Sequence, residues 1–395
     1  MRRRTAAGRP LAVLGAALLV AACASTPILA NAPVVRPSPP ATPSPTPLPS
    51  DPIAISFPGD DGPHHRLMEW WYYTGHLRDA SGRRFGFEFV VFRAERGDFP
   101  VSWASHLAIT AESADRFAYG QRSEIGGHVD RSPRSAAATP TGFDLALTGA
   151  DPTDPATLGR PVWQMAGSNG RDRLTAALAA DEAAAAGVPG GLGIDLALAT
   201  DRPPALHDRD GWIDFGSAGG SYYYSRTRMA ATGSVTFDGL TSNVTGTAWF
   251  DHQWGDFISV GGGWDWFALN LDDGTDVTLS LVRSPDGSLP LVYGTLVAPN
   301  GTTRHLARSD FSVRSTGSWT SARTAAVYPA GWLVDLPERR LTLELAPTVA
   351  AQELDTRATS GVVYWEGSQR VSGTLAGRPI GGEAYVELTG YSQGR

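Results

Sequence analysis

From residue 67 onward the chain is a succession of short apolar runs separated by turn signals. Phe85, Phe87, Phe89 and Val91 fall on one side of an extended segment, and Gly86, Glu88 and Val90 fall on the other. A segment with that period buries its apolar side only by pairing with others like it, so one strand here implies a sheet. Ser105 to Thr110, Gly142 to Leu147 and Ile194 to Leu198 continue the series. Later runs are 233–237, 244–254, 264–271, 276–282, 292–297, 332–336, 341–345, 362–366 and 383–388. Asp273-Gly274, Asp286-Gly287 and Asn300-Gly301 between them are hairpin signals. The one helical interruption is the alanine-rich stretch Leu174 to Gly187, expected as a short surface helix or variable loop. The pattern predicts an all-β protein of barrel or sandwich type. With 395 residues the chain suits two domains, and the division is expected near 225, giving 51–225 and 226–395.

The N-terminus carries an address instead of structure. Arg2, Arg3 and Arg4 form a positive n-region, and Leu11 to Val20 form an apolar stretch too short to span a bilayer. Val20-Ala21-Ala22-Cys23 then resembles a bacterial lipobox. Residues 1–22 are thus expected as a lipoprotein signal peptide, and Cys23, the single cysteine, as the acylated residue. Residues 23–50 are rich in Pro, Ser, Thr and Ala, an extended tether that stands the folded part off a membrane. The expected location is extracytoplasmic and membrane-anchored. A net charge of −7 without a compensating basic stripe argues against a nucleic-acid partner.

Chemistry concentrates in Gly246-Thr247-Ala248-Trp249-Phe250-Asp251-His252-Gln253-Trp254-Gly255, in the second half of the chain. In an extended strand Thr247, Trp249, Asp251 and Gln253 share one face, and Ala248, Phe250, His252 and Trp254 share the other. Asp251 and His252 then serve different neighbourhoods unless a bulge intervenes. Asp251 between indoles reads either as a general acid whose proton is held by burial or as a hydrogen-bond hub. Glu69 reads as a second cavity carboxylate or as the partner of an arginine such as Arg226 or Arg228. Trp70 or Trp71 can plug a barrel end. His76 shares a face with Trp70, Tyr72 and Thr74, and His106 lies in an apolar strand. Either orients water or ligand, or is a satisfied core histidine. Glu383, Tyr385 and Glu387 read as the solvated face of a wall. No GxSxG elbow, HExxH pair or phosphate loop is present, and a zinc set of His76, His106 and His252 lacks the spacing. No metal and no cofactor are expected.

Several motifs occur in the order found in the AttH and carotenoid 1,2-hydratase superfamily. Met68-Glu69-Trp70-Trp71-Tyr72-Tyr73-Thr74-Gly75-His76-Leu77 resembles its opening signature, and Ser105-His106-Leu107-Ala108-Ile109-Thr110 its HFAIT strand. Gly220 to Ser225 resembles GSYYYS, the cluster around Asp251 resembles WFDHQWG, and Trp264-Asp265-Trp266-Phe267 with Asp272-Asp273-Gly274 resembles WDWF and LDDG. Tyr364 to Gly367 and Gly382 to Tyr391 resemble the C-terminal motifs. The resemblance implies two consecutive lipocalin-like antiparallel barrels with a ligand cavity near their junction. It also implies an apolar, often polyene, substrate and hydratase, lyase or isomerase chemistry. Asp251, His252 and Glu69 are then the catalytic candidates. Trp70, Tyr72, His76, His106, Trp249, Gln253, Trp254 and Tyr223 are the ligand-binding candidates. The lipobox departs from the pigment enzymes and turns the expectation toward the secreted lipoprotein branch. There the alternatives are a non-catalytic carrier of a hydrophobic small molecule, associated with an ABC-type export system, and a secreted hydrolase.

Overall fold

The computed structural model describes residues 51–150, 153–257 and 262–392. The stretches expected as a signal peptide and a tether, with Cys23 between them, lie outside the described residues. Two large antiparallel sheets carry the fold. The first runs in space Arg116–Ile125, Ser102–Ala111, Arg84–Ala94, Met68–Asp79, Leu240–Phe257, Gly219–Phe237, Leu192–Ala199, Arg171–Ala177, Trp163–Ser168, Phe143–Leu147. It curls until its end strands meet, where Arg122 Nη1 donates to the Leu147 carbonyl at 3.5 Å. The second runs Thr303–Ala307, Leu291–Val297, Asp276–Arg283, Gly263–Leu271, Arg378–Thr389, Val363–Leu375, Leu341–Pro347, Trp332–Leu336, Ser312–Ser315. The turns read as hairpin signals join its neighbouring strands, with Gly274 and Gly301 at φ values of +86° and +85° that glycine adopts without strain.

Each sheet wraps its own core. Trp71, Tyr73, Phe87, Phe89, Trp163 and Phe250 fill the first, and Phe267, Leu269, Trp332, Val334 and Trp365 fill the second. The barrels therefore hold side chains, not a calyx. A third apolar cluster lies between them, where Tyr72, Val90 and Trp249 of the first sheet meet Trp266, Ala268 and Tyr385 of the second. The two barrels thus pack outer wall to outer wall.

The boundary between them is not at 225. Gly219–Phe237 is one continuous strand, and Leu240–Phe257 inserts between it and Met68–Asp79. The first sheet runs to Phe257 and the second begins at Gly263, so the motif around Asp251 belongs to the first barrel, not the second. The chain returns after a long excursion to pair with its own first strand, and apolar alternation carries no information about which partner a strand chooses. The alanine-rich stretch divides as well. Ala180–Ala185 is a short helix, but Leu174 sits fully buried in the strand Arg171–Ala177. No helix among the described residues is long and apolar enough to cross a membrane.

Buried charge ties the barrels together. Asp276, fully buried in the second sheet, accepts from Arg228 Nη2 at 2.6 Å, Arg202 Nη1 at 3.0 Å and Thr227 Oγ1 at 2.8 Å, all donated from the first barrel. Removing one side of such a pair strands buried donors and typically costs about 3–5 kcal/mol. Asp276→Ala should lower unfolding stability by about that amount in denaturant titrations, and a loss below ~1 kcal/mol would show that the barrels do not depend on it.

Candidate functional site

A cavity of about 110 Å³ opens between the walls. It is lined by Trp70, Tyr72, Phe92, Tyr223, Gln253, Trp264, Trp266 and Tyr293, and by three carboxyls, Asp251, Glu88 and Glu387. Register explains the assembly. In antiparallel pairing, residues opposite one another share a face. Asp251 lies opposite Tyr72 on one side and Ser225 on the other, while Gln253 lies opposite Trp70 and Tyr223. All of these face the second barrel. His252 lies opposite Trp71 and Tyr224, and all three face the first core.

Asp251 is buried and accepts three hydrogen bonds. Tyr223 OH donates to Oδ2 at 2.6 Å, Trp249 Nε1 donates to Oδ1 at 2.7 Å, and Ser225 Oγ donates to Oδ1. Trp266 Nε1 donates to the Tyr223 hydroxyl at 3.0 Å, so the second barrel fixes the orientation of that phenol. Behind Ser225 stands His207, whose Nε2 lies 2.6 Å from Ser225 Oγ and whose Nδ1 lies 2.9 Å from Thr295 Oγ1. Burial pushes the His207 ring down to about 3, so it is neutral. With the Ser225 proton on Asp251, the network makes His207 the donor at Nε2 and the acceptor at Nδ1. Burial lifts the Asp251 carboxyl, the Ser225, Tyr223 and Trp249 donors pull it back, and it comes to rest at about 7.

Across the cavity Glu387 is also lifted by burial to about 7, and the nearby Asp251 charge adds to the lift. Glu88 is raised well above the carboxylate range, chiefly by burial. It accepts from Tyr364 OH at 2.8 Å through Oε1, while its Oε2 has no partner. Glu366 behaves alike, raised by burial and by Glu88 and Glu387, and accepts from Tyr72 OH at 2.8 Å. The buried Asp251, Glu88 and Glu366 and the half-buried Glu387 thus crowd one region, with all but Glu366 on the cavity itself, and like charges there oppose joint ionisation.

The expected site residues divide by face. Asp251, Trp70, Tyr72, Tyr223 and Gln253 line the cavity, and Trp249 backs Asp251. His106 stands behind the wall, with Nδ1 2.7 Å from Tyr364 OH and its ring held neutral by burial, at about 3. His76 is away from the cavity, with Nε2 3.1 Å from the Ala384 carbonyl and Nδ1 3.5 Å from Glu112. His252, Glu69 and Trp254 face away from it. Glu69 is not a cavity carboxylate; the arginine it faces is Arg93, at 3.7 Å, while Arg226 and Arg228 pair with Asp61 and Asp276. Its nearer partners are His252 Nε2 at 3.0 Å and His64 Nδ1 at 2.7 Å. Burial would raise its carboxyl, yet the two histidines hold it at about 2. The alternation of β-strand faces forces this: Glu69 shares a side with Trp71 and Tyr73. His76, His106 and His252 do not converge. Sequence reasoning passed over Glu88, His207 and His64, and assigned Glu387 to a solvated wall. Glu387 does alternate out of its own core, but the other barrel covers that face. The polar alternation of Glu383 and Glu387 carried no sign of that cover.

A family model described as AttH-like matches residues 48–391. The crystal structure of a protein assigned as AttH from Nitrosomonas europaea superposes with a TM-score of 0.69 at 30% identity, over 86% of this chain and 98% of that one. Kievitone hydratase from Nectria haematococca shares the fold with a TM-score of 0.61 at 15% identity, over 85% and 93% of the two chains. None of the curated proteins matches.

The position of Asp251 near 7 has a thermodynamic consequence. A carboxyl raised on folding is held protonated more tightly by the native state than by the unfolded chain. Its contribution is fully present below the ordinary value near 3.8 and is lost as pH rises through about 7. Asp251→Asn cannot titrate, so its stability relative to the parent should rise between pH 4 and pH 8 in urea unfolding at constant ionic strength. A difference independent of pH would mean that Asp251 is ionised throughout.

Proposed function

This chain belongs to the AttH-like family, and on that footing we propose that it is an enzyme of hydratase, lyase or isomerase type acting on an apolar unsaturated small molecule. The observation that carries the reading is a protonatable Asp251 facing a cavity of aromatic rings, with Glu387 on the same cavity. A carboxyl poised near neutrality both gives and takes a proton at working pH. A hydrogen-bond hub alone does not call for further raised carboxyls around an apolar space. The fold is shared with a hydratase, but the chemistry proposed rests on this chain's residues.

In the forward sense Asp251 gives its proton to one carbon of a double bond. Positive charge develops on the other carbon, and the faces of Trp70, Tyr72, Trp264 and Trp266 lie around it. A water attacks that carbon and passes its surplus proton to Glu387. Solvent exchange then returns the pair to its starting protonation. Loss of a proton from a neighbouring carbon instead gives an isomer, and the reverse sequence gives dehydration. Tyr223 and Ser225 hold Asp251 throughout, stabilising its carboxylate as the proton leaves.

The cavity limits the ligand. At about 110 Å³ it is smaller than the roughly 150 Å³ engineered cavity that admits benzene. It has room for one branched alkene end of a ligand, not for a long polyene held whole. The lipobox reading adds that the enzyme works outside the cytoplasm, tethered by Cys23. The parent should then partition with membranes and carry acyl chains on its N-terminal cysteine by mass spectrometry, and Cys23→Ser should be released. An unmodified, soluble parent would remove the anchor.

The test of the chemistry is solvent-deuterium incorporation into short isoprenoid alkenes, followed by mass spectrometry. The parent should place deuterium on carbon. Asp251→Asn should lose about 10²-fold or more of that rate while keeping the fold and ligand affinity, and Glu387→Gln should reduce hydration more than exchange. Alkene binding without exchange by the parent would favour a carrier in place of an enzyme.

A further inference from the structure

On the far side of the strand that carries Asp251, His64, Glu69 and His252 gather one ligand atom each within 4.8 Å of one another. Both rings aim at the same oxygen: His64 Nδ1 lies 2.7 Å and His252 Nε2 lies 3.0 Å from Glu69 Oε1. The remaining nitrogen of each ring also faces an acceptor. His64 Nε2 lies 3.3 Å from the Asp60 carboxylate, and His252 Nδ1 lies 3.1 Å from the Asp60 carbonyl. Four nitrogens thus face three oxygens in four contacts, but two neutral imidazoles carry only two N–H groups. Satisfying every contact with protons needs two imidazolium ions whose ring centres are 5.6 Å apart and largely buried, and like charges so placed repel.

A cation removes the conflict. With each N–H directed at Asp60, the freed lone pairs of His64 Nδ1 and His252 Nε2 point with Glu69 Oε1 toward one place. An imidazole that binds metal through one nitrogen and donates to a carboxylate or carbonyl through the other is the usual outer-shell arrangement. Two imidazoles and one carboxylate suit a borderline ion of the zinc class, with bonds of about 2.0–2.2 Å and a water completing the set. The other side of Glu69 is the more occupied: Oε2 accepts the His64 backbone N–H at 2.9 Å and faces Arg93 Nη1 at 3.7 Å, while Oε1 takes only the longer share of that N–H at 3.2 Å and is the oxygen turned to both rings. Trp254 stacks on the His64 ring at 4.1 Å and Trp71 on the His252 ring at 4.6 Å, which fixes both planes. His64 remains 19% exposed, leaving a way in from solvent.

We propose that His64, Glu69 and His252 form a binding site for one divalent cation of the zinc class, which fastens the segment ahead of the first strand to the barrel. The test uses the full chain in detergent, stripped with a chelator and titrated with zinc chloride by calorimetry. One equivalent should bind, cobalt(II) should develop visible d–d bands in the same place, and zinc should raise the melting temperature of the parent. His64→Ala, on the partly exposed segment, should keep the circular dichroism of the parent and lose tenfold or more in zinc affinity together with the cobalt bands. Absence of stoichiometric binding by the parent overturns the proposal. Unchanged binding in a folded His64→Ala also overturns it, by placing the ion elsewhere. Should His64→Ala fail to fold, His64→Gln is read by the same two measures.

Discussion

The strand Leu240–Phe257 is paired along both edges, by Met68–Asp79 and by Gly219–Phe237. Its pleat is therefore locked, and consecutive side chains have no freedom to trade faces. Asp251 must look out at the second barrel while His252 looks into the first. The bulge between Arg226 and Met229 on the neighbouring strand falls beyond this stretch, so Ser225 and Tyr223 keep the register that sets them beside Asp251 and Gln253. One shared strand thus organises two separate polar neighbourhoods, back to back, with only the backbone between them.

The outward neighbourhood is unusual for the amount of carboxyl it buries without opposing cations. Asp251, Glu88, Glu366 and Glu387 are all lifted, with burial the leading cause in each. Arginine is kept for the rims and joints of the interface instead: Arg202 and Arg228 at Asp276, and Arg84 at Glu112 and Glu383. Such a distribution lets the cavity acids exchange protons near neutrality and keeps fixed charge on the scaffold, which is a division of labour that structural ion pairing alone does not require.

Much of this was readable from the residues. Two-residue alternation located most strands and split the Asp251 motif by face correctly, and the Asx-Gly pairs marked real hairpins. The ordered aromatic motifs pointed to the family. What stayed hidden was every relation between distant strands. Nothing in the pattern near 225 said that the chain would turn back to its first strand, and so the motif was placed in the wrong barrel. Glu387 looked solvated because alternation reports which side of a sheet is polar, not what later covers it. Glu69 looked like a cavity residue because its neighbours Trp70 and Tyr72 are, yet a shift of one position is a change of side. His64 stood in a turn-rich lead segment with no period at all, so only the folded structure could bring it to Glu69.

Packing wall against wall also separates what each barrel can change. The interior of either barrel is filled by its own core, so substitutions there alter stability without touching the ligand space. The space itself belongs to neither barrel: its depth is the distance between two surfaces, each backed by a core of its own. Relatives with this fold can therefore acquire a different substrate size by changing a few outward side chains, or the joints that set the spacing, while both cores drift freely. A lineage of such proteins would diverge in what it accepts faster than in what it looks like.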